Sequence, residues 1–301
     1  MRLAVLGGSS AKPLAFKIAK DLGVEFINVE TRKFPDGEKY VRILGDVEGK
    51  NVVVVQSMYH RPDEYLLEYF LMVDALKDLG AKKVIGVIPY FAYARQDQRF
   101  KPGEAISLKT VSKLIEKAGT DELYVIDVHR HRVEEAEFSR LVNIPVYYLT
   151  AMPELAKYAV EHFNLDNPVV IGPDVEAKFW AKIAAETIGA EYDYLEKQRI
   201  SDREVVIKPK KLNVKGREVL IVDDIVSTGG TMVRAIEVIK REGAKRIIAA
   251  CTHPVLVEDA LTKILMAGAE ALIGTDTIPS PVSVVSVAPI IARNIREKLL
   301  K

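Results

Sequence analysis

Short runs rich in valine and isoleucine alternate along the chain with longer segments whose apolar residues recur at helical spacing. The short runs read as strands buried on both faces of a parallel sheet, the longer ones as helices that cover it. Strands are expected at Leu3–Leu6, Val52–Val55, Val84–Ile88, Leu123–Ile126, Val169–Ile171, Val219–Val222, Ile247–Ala250 and Ala271–Gly274. Helices are expected at Ala11–Leu22, Asp63–Leu79, Ser107–Lys117, Pro153–His162, Ala177–Thr187, Gly229–Arg241 and Val257–Met266, with a last helix from Pro289 to Lys301. Strand and helix in regular alternation predict an α/β architecture.

The pattern repeats. VLGGSSAKPLAFKIAKDLG (5–23) resembles VIGPDVEAKFWAKIAAETIG (170–189) at an offset of 165, and LGAKKVIGV (79–87) resembles EGAKRIIAA (242–250) at 163. Between them, Val52–Val55 falls on Leu220–Val222 near 167. Three matches in one order at nearly one offset predict two copies of a single α/β unit. With the strand-to-helix turn at Ile144–Ala151, they divide the chain into domains 1–146 and 147–288, followed by a closing helix, 289–301. The copies differ where it matters chemically. Val222-Asp223-Asp224 stands against Val55-Gln56-Ser57, and Gly229-Gly230 against the region of Arg61-Pro62-Asp63.

Composition adds exclusions. With 43 basic and 42 acidic residues the net charge is +1, so no global field points to nucleic acid. A single cysteine, Cys251, excludes an internal disulfide and a cysteine-built zinc site, and its apolar surroundings predict an inert, buried thiol. No apolar run approaches the ~20 residues that span a bilayer, and no leader pattern opens the sequence. A cytoplasmic location is therefore expected.

The chemistry concentrates in VLIVDDIVSTGGT (219–231). Four apolar residues lead into two carboxylates and then a Ser-Thr-Gly-Gly-Thr turn before a helix. Glycines let backbone N–H groups close on an oxyanion, the helix offers its positive end, and Ser227, Thr228 and Thr231 add hydroxyls. Asp223 and Asp224 suit hydroxyl hydrogens or a magnesium ion, so a phosphorylated polyol fits better than free phosphate. No G-x-x-x-x-G-K-[ST] run is present. The segment resembles the phosphoribosyl pyrophosphate motif shared by type I phosphoribosyltransferases and phosphoribosyl pyrophosphate synthetases. That resemblance implies that Asp223 and Asp224 bind the ribose hydroxyls, and that Ser227, Thr228, Gly229, Gly230 and Thr231 bind the 5-phosphate.

Four further segments are similar to the synthetases. KFPDGEKYVRI (33–43) reads as a hairpin turn. In that family it reaches the adenine of ATP across a subunit interface, which assigns ATP contacts to Phe34, Asp36, Gly37 and Glu38 and implies a homo-oligomer. PYFAYARQDQRFKPGEAIS (89–107) is long for a simple connection, and the resemblance gives Arg95, Gln96 and Arg99 the triphosphate. VIDVHRH (125–131) and IGPDVE (171–176) put His129 and Asp174 at strand ends, where the family holds Mg²⁺; Asp127 and His131 are lesser candidates. In LEKQRISDREVVI (195–207), Lys197 and Arg199 match a Lys-x-Arg on a loop that closes over ATP. They are expected to be catalytic, with Arg199 also facing ribose 5-phosphate. The resemblance spans nearly the whole chain. It implies two type I phosphoribosyltransferase-like domains and transfer of the β,γ-pyrophosphate of Mg-ATP to ribose 5-phosphate. Residues 98–104 depart from the regulatory stretch of the bacterial and animal enzymes and resemble the archaeal branch.

Overall fold

The computed structural model describes residues 2–129, 140–199, 205–209 and 214–299, the side chains of 197–199 and 205–209 excepted. The chain divides into two compact units, Met1–Leu149 with Ser286–Lys301, and Thr150–Val285.

In the first unit the order is β1 (Leu3–Gly7), α1 (Lys12–Leu22), β2 (Glu25–Ile27), β3 (Val29–Lys33), β4 (Lys39–Ile43), β5 (Asn51–Val55), α2 (Pro62–Asp78), β6 (Lys83–Ile88), α3 (Ser107–Lys117), β7 (Glu122–Ile126) and β8 (Val146–Leu149). Six strands form one parallel sheet in the order β2-β1-β5-β6-β7-β8, while β3 and β4 pair only with each other. Every residue of β5 is buried, as a strand covered on both faces must be.

The second unit runs α4 (Met152–Phe163), β9 (Val169–Gly172), α5 (Lys178–Ile188), β10 (Glu191–Arg199), β11 (Val205–Pro209), β12 (Glu218–Val226), α6 (Gly230–Arg241), β13 (Arg246–Pro254), α7 (Ala260–Ala267), β14 (Ala271–Thr275) and β15 (Ser283–Val285). Its sheet is β11-β10-β9-β12-β13-β14-β15, parallel except for the β10–β11 pair. Set against the first sheet, β9, β10, β12, β13, β14 and β15 hold the places of β1, β2, β5, β6, β7 and β8. The hairpins differ: β11 joins the second sheet through β10, whereas β3 and β4 form a pair apart from the first. Identical strand order is the structural form of the internal repeat.

Every strand expected from the apolar runs is present. Three details differ. Strand β12 does not stop at Val222 but continues to Val226, pairing Asp223 with Cys251, Ile225 with His253 and Val226 with Pro254. The carboxylates therefore lie within the extended strand, and the turn opens only at Ser227. Helix α7 starts three residues later than its apolar pattern suggests, because Glu258 and Asp259 hold positive φ and break the first turn. Strands β2 and β15 lie outside the expected set, although the valine-rich run 282–287 carries a strand signal at β15. The last helix, α8 (Ala288–Leu299), belongs to the first unit, where Arg296 donates to the Asp21 carbonyl. Cys251 is buried and free.

Candidate active site

In open α/β sheets ligands bind beyond the carboxyl ends of the strands, and the predicted residues of the second unit gather there. Asp174 follows β9; Asp223 and Asp224 lie near the end of β12, which pairs directly with β9. Asp224 is buried and its N–H donates to Asp223 Oδ1 at 3.0 Å. Asp174 Oδ1 accepts the N–H groups of Glu176 and Ala177 at 3.0 and 3.1 Å, capping the turn before α5. Packing pushes the Asp223 carboxyl well above the ordinary range, and the charges of Asp224 and Asp174 push it further. Asp174 is raised too, first by burial, with Glu176 and Asp224 adding to it against the two capping N–H bonds. Two carboxylates raised by burial and by neighbouring acids make a setting in which a cation would favour the charged form.

The turn after them is shaped for the opposite charge. Gly229 has φ of +78°, and a Cβ there would stand 3.3 Å from that of Ala260, so both the left-handed backbone and the tight space call for glycine. Helix α6 then begins at Gly230 with no side-chain cap. Its first-turn N–H groups have no acceptor within the helix, and Thr228 is exposed while Ser227, Gly230 and Thr231 are partly so. Acids on a strand, followed by open N–H and hydroxyl donors, match a ligand that carries hydroxyls at one end and an anion at the other.

The candidates of the first unit stand on its hairpin and on the loops after β6 and β7. The β3–β4 hairpin projects Phe34, Asp36, Gly37 and Glu38 into solvent, with Gly37 at φ of +98° and the Glu38 N–H held by Asp36 Oδ1. Phe34 packs edge-on to Tyr40, and Arg32 lies over both rings, 4.6 and 4.1 Å from their centroids. Sequence reasoning passed over Arg32, although its alternation with Phe34 along the strand was visible. In the loop after β6, Arg95 and Arg99 are exposed, and Gln96 and the Phe100 and Lys101 N–H groups donate to Glu104. His129 is half-buried beyond β7, after Asp127, which is buried and held at φ of +38°.

Some predicted residues fall elsewhere. The backbones of Lys197 and Arg199 pair with Ile207 and Val205 in the β10–β11 ladder, but their side chains, and His131, lie outside the described residues. No cluster of three or more metal-ligating side chains forms among the described residues, and none of the described helices is long and apolar enough to cross a membrane.

Comparison with known proteins matches both units. A model of the N-terminal domain of ribose phosphate pyrophosphokinase covers residues 3–119, and one of the phosphoribosyl transferase domain covers 148–266. The ribose-phosphate pyrophosphokinase of Methanothermobacter thermautotrophicus is 47% identical over 96% of this chain and 98% of its own. The chain belongs to the ribose-phosphate pyrophosphokinase family. The Pyrococcus furiosus member is 44% identical over 94% of this chain and 96% of its own. The crystal structure of the phosphoribosylpyrophosphate synthetase from Mycobacterium smegmatis superposes with a TM-score of 0.87 at 30% identity, covering 100% of this chain and 99% of that one. Whole-length agreement of this kind extends the relation to both units, beyond the glycine turn alone.

Proposed function

We propose that this pyrophosphokinase transfers the β,γ-pyrophosphate of Mg-ATP to the 1-hydroxyl of ribose 5-phosphate, releasing AMP and supplying phosphoribosyl pyrophosphate to nucleotide biosynthesis. The observation that carries the reading is the pairing of the acids on β12 with the uncapped start of α6. Asp223 and Asp224 accept the ribose hydroxyls, while Ser227, Thr228, Gly229, Gly230 and Thr231 hold the 5-phosphate. Phe34, Asp36, Gly37 and Glu38 hold adenine, and Arg95, Gln96 and Arg99 the triphosphate, where planar guanidinium groups suit phosphate oxygens.

Magnesium fits the residues present. Carboxylates that burial and mutual repulsion push upward at Asp174 and Asp223 are relieved by a divalent cation. His129 and Asp174 are each proposed as a Mg²⁺ ligand, and the ion, when bound, would neutralise charge on the phosphates. Lys197 and Arg199 meet the charge that grows on the transferring and leaving groups, with Arg199 also facing ribose 5-phosphate. Catalysis is then mostly positioning of two anionic substrates, for in-line attack of the sugar hydroxyl on the β-phosphorus. The enzyme is expected to work as a cytoplasmic homo-oligomer.

Purified protein incubated with Mg-ATP, with and without ribose 5-phosphate, tests this directly. Sugar-dependent AMP, without ADP or free phosphate, is the expected result. ADP would make the protein an ordinary kinase, and no nucleotide product at all would overturn the reading.

A further inference from the structure

Glu68 is a charged side chain with no role in the chemistry above, yet it is fully buried. Both of its oxygens are engaged. Oε1 accepts the Ser9 N–H at 2.6 Å and Gln56 Nε2 at 3.0 Å; Oε2 accepts Ser9 Oγ at 2.8 Å and Lys39 Nζ at 2.6 Å. Ser9 stands in the loop after β1, the counterpart of Asp174, and Gln56 follows β5, the counterpart of Asp223. The loop edge that faces ligand in the second unit is thus filled in the first by a carboxylate from its own helix α2.

The fourth donor ties this plug to the nucleotide hairpin. Lys39 is the first residue of β4 and lies directly opposite Lys33, the last of β3. Two like charges paired across a hairpin repel unless something answers them. Helix α2 answers both, with Glu64 on Lys33 at 2.7 Å and Glu68, one turn on, on Lys39 at 2.6 Å. The two lysines bracket the tip that carries Phe34, Asp36 and Glu38. Since β3 and β4 pair with no other strand, and a lone two-stranded hairpin is marginal in water, its bearing depends on such side-chain anchors. Asp63, on the same end of α2, also takes a hydrogen bond from Tyr93 in the loop that carries Arg95 and Gln96.

We infer that Glu68 is a positioning residue for the nucleotide: through Lys39 it aims the hairpin tip, and α2 serves as the common frame for the hairpin and the loop of residues 89–107. The inference rests on the proposed role of that hairpin in holding ATP. Glu68 also occupies the donors of Ser9 and Gln56, at the places where the second unit carries Asp174 and Asp223.

The test compares wild type with Glu68→Gln, Lys39→Met and Lys39→Arg in the full-length protein. Steady-state constants for ATP and ribose 5-phosphate are measured together with hydrogen exchange of residues 33–43. Glu68→Gln and Lys39→Met should each raise KM for ATP roughly tenfold, with KM for ribose 5-phosphate within about twofold, and their double variant should be little worse than either. Lys39→Arg should restore the ATP constant, and exchange in the hairpin should quicken only in the variants that break the pair. An unchanged ATP constant in folded Lys39→Met, or equal rises in both constants, would overturn the inference. Should Glu68→Gln fail to fold, Lys39→Met alone decides. If wild type itself makes no sugar-dependent AMP, the functional reading falls, and the exchange of Lys39→Met still decides whether the pair holds the hairpin.

Discussion

The two units share one strand order and end their equivalent strands in opposite electrostatic conditions. Beyond β1 and β5, the single buried carboxylate Glu68 is matched by a lysine, an amide, a hydroxyl and a backbone N–H. Beyond β9 and within the end of β12, the charges of Asp174, Asp223 and Asp224 act on one another, and Asp174 and Asp223 are pushed upward. The first edge is satisfied from within and serves as a mount. At the second, carboxylates crowd one another, an arrangement that a cation would relieve. The two scaffolds are alike, and a few residues at one edge set them apart.

Replacing the crowded acids should have the largest effect. Asp223→Asn is expected to lower kcat/KM for ribose 5-phosphate by roughly 10²–10³. Burial and two neighbouring acids disfavour the charge of Asp223 in the folded state, so the same change should raise the thermal midpoint of the apo protein slightly. Ser57→Ala, at the place in the first unit that matches Asp224, should leave kcat within about threefold. If both substitutions cut activity equally, the contrast between the edges is wrong.

Next is Lys197→Ala, expected to reduce kcat by roughly 10²–10³ while ribose 5-phosphate binding changes little. The β10–β11 hairpin that bears it is built onto the second sheet, whereas β3–β4 pairs apart from the first. One hairpin would then serve nucleotide binding and the other the chemical step, and an unchanged kcat would dissolve that division.

Packing offers a subtler comparison at Gly7 and Gly172, equivalent glycines where a strand meets its helix. A Cβ on Gly7 would lie 2.6 Å from that of Ala15, whereas on Gly172 it would lie 3.0 Å from the Ala177 backbone. Gly7→Ala should therefore destabilise by about 1–3 kcal/mol and Gly172→Ala by less, in denaturant titrations.

The smallest effect concerns the far end of β12. There the acids are paired instead of crowded. Burial alone would raise Glu218, but the Asp166 N–H and Arg246 outweigh it and hold the carboxyl below its ordinary value; Arg246 holds Glu270 low as well. With folded values below the unfolded ~4.3, the unfolded chain takes up protons first as pH falls. Their stabilisation is complete above roughly pH 5 and disappears as pH drops through the folded values. Arg246→Met should lower the melting temperature at pH 7 by roughly 2–4 °C and flatten its fall in acid. A wild-type acid limb left unchanged would show that the pairing is too exposed to matter.

Much of this could be read from residues adjacent in the chain. Valine-rich runs announce strands because a doubly covered parallel strand has no polar face, and the glycine turn at 227–231 announces its loop because a helix start with positive φ before it needs those residues. What stayed hidden rests on pairs far apart. The Asp-Asp pair marked a strand end, yet only pairing with β13 shows that β12 runs on to Val226. Glu68 looked like one more polar position on an amphipathic helix, and nothing nearby in sequence marks it as buried.

The α/β class, the repeat, the Asp-Asp and glycine-turn motif and the family resemblance are all legible in local spacing. Which charges meet depends on the fold. Ser9 and Glu68 are 59 residues apart, Lys39 and Glu68 are 29 apart, and Arg296 reaches Asp21 across 275. Such meetings depend on the order in which parallel strands are laid down, and a crossover between strands leaves no mark on the residues it brings together.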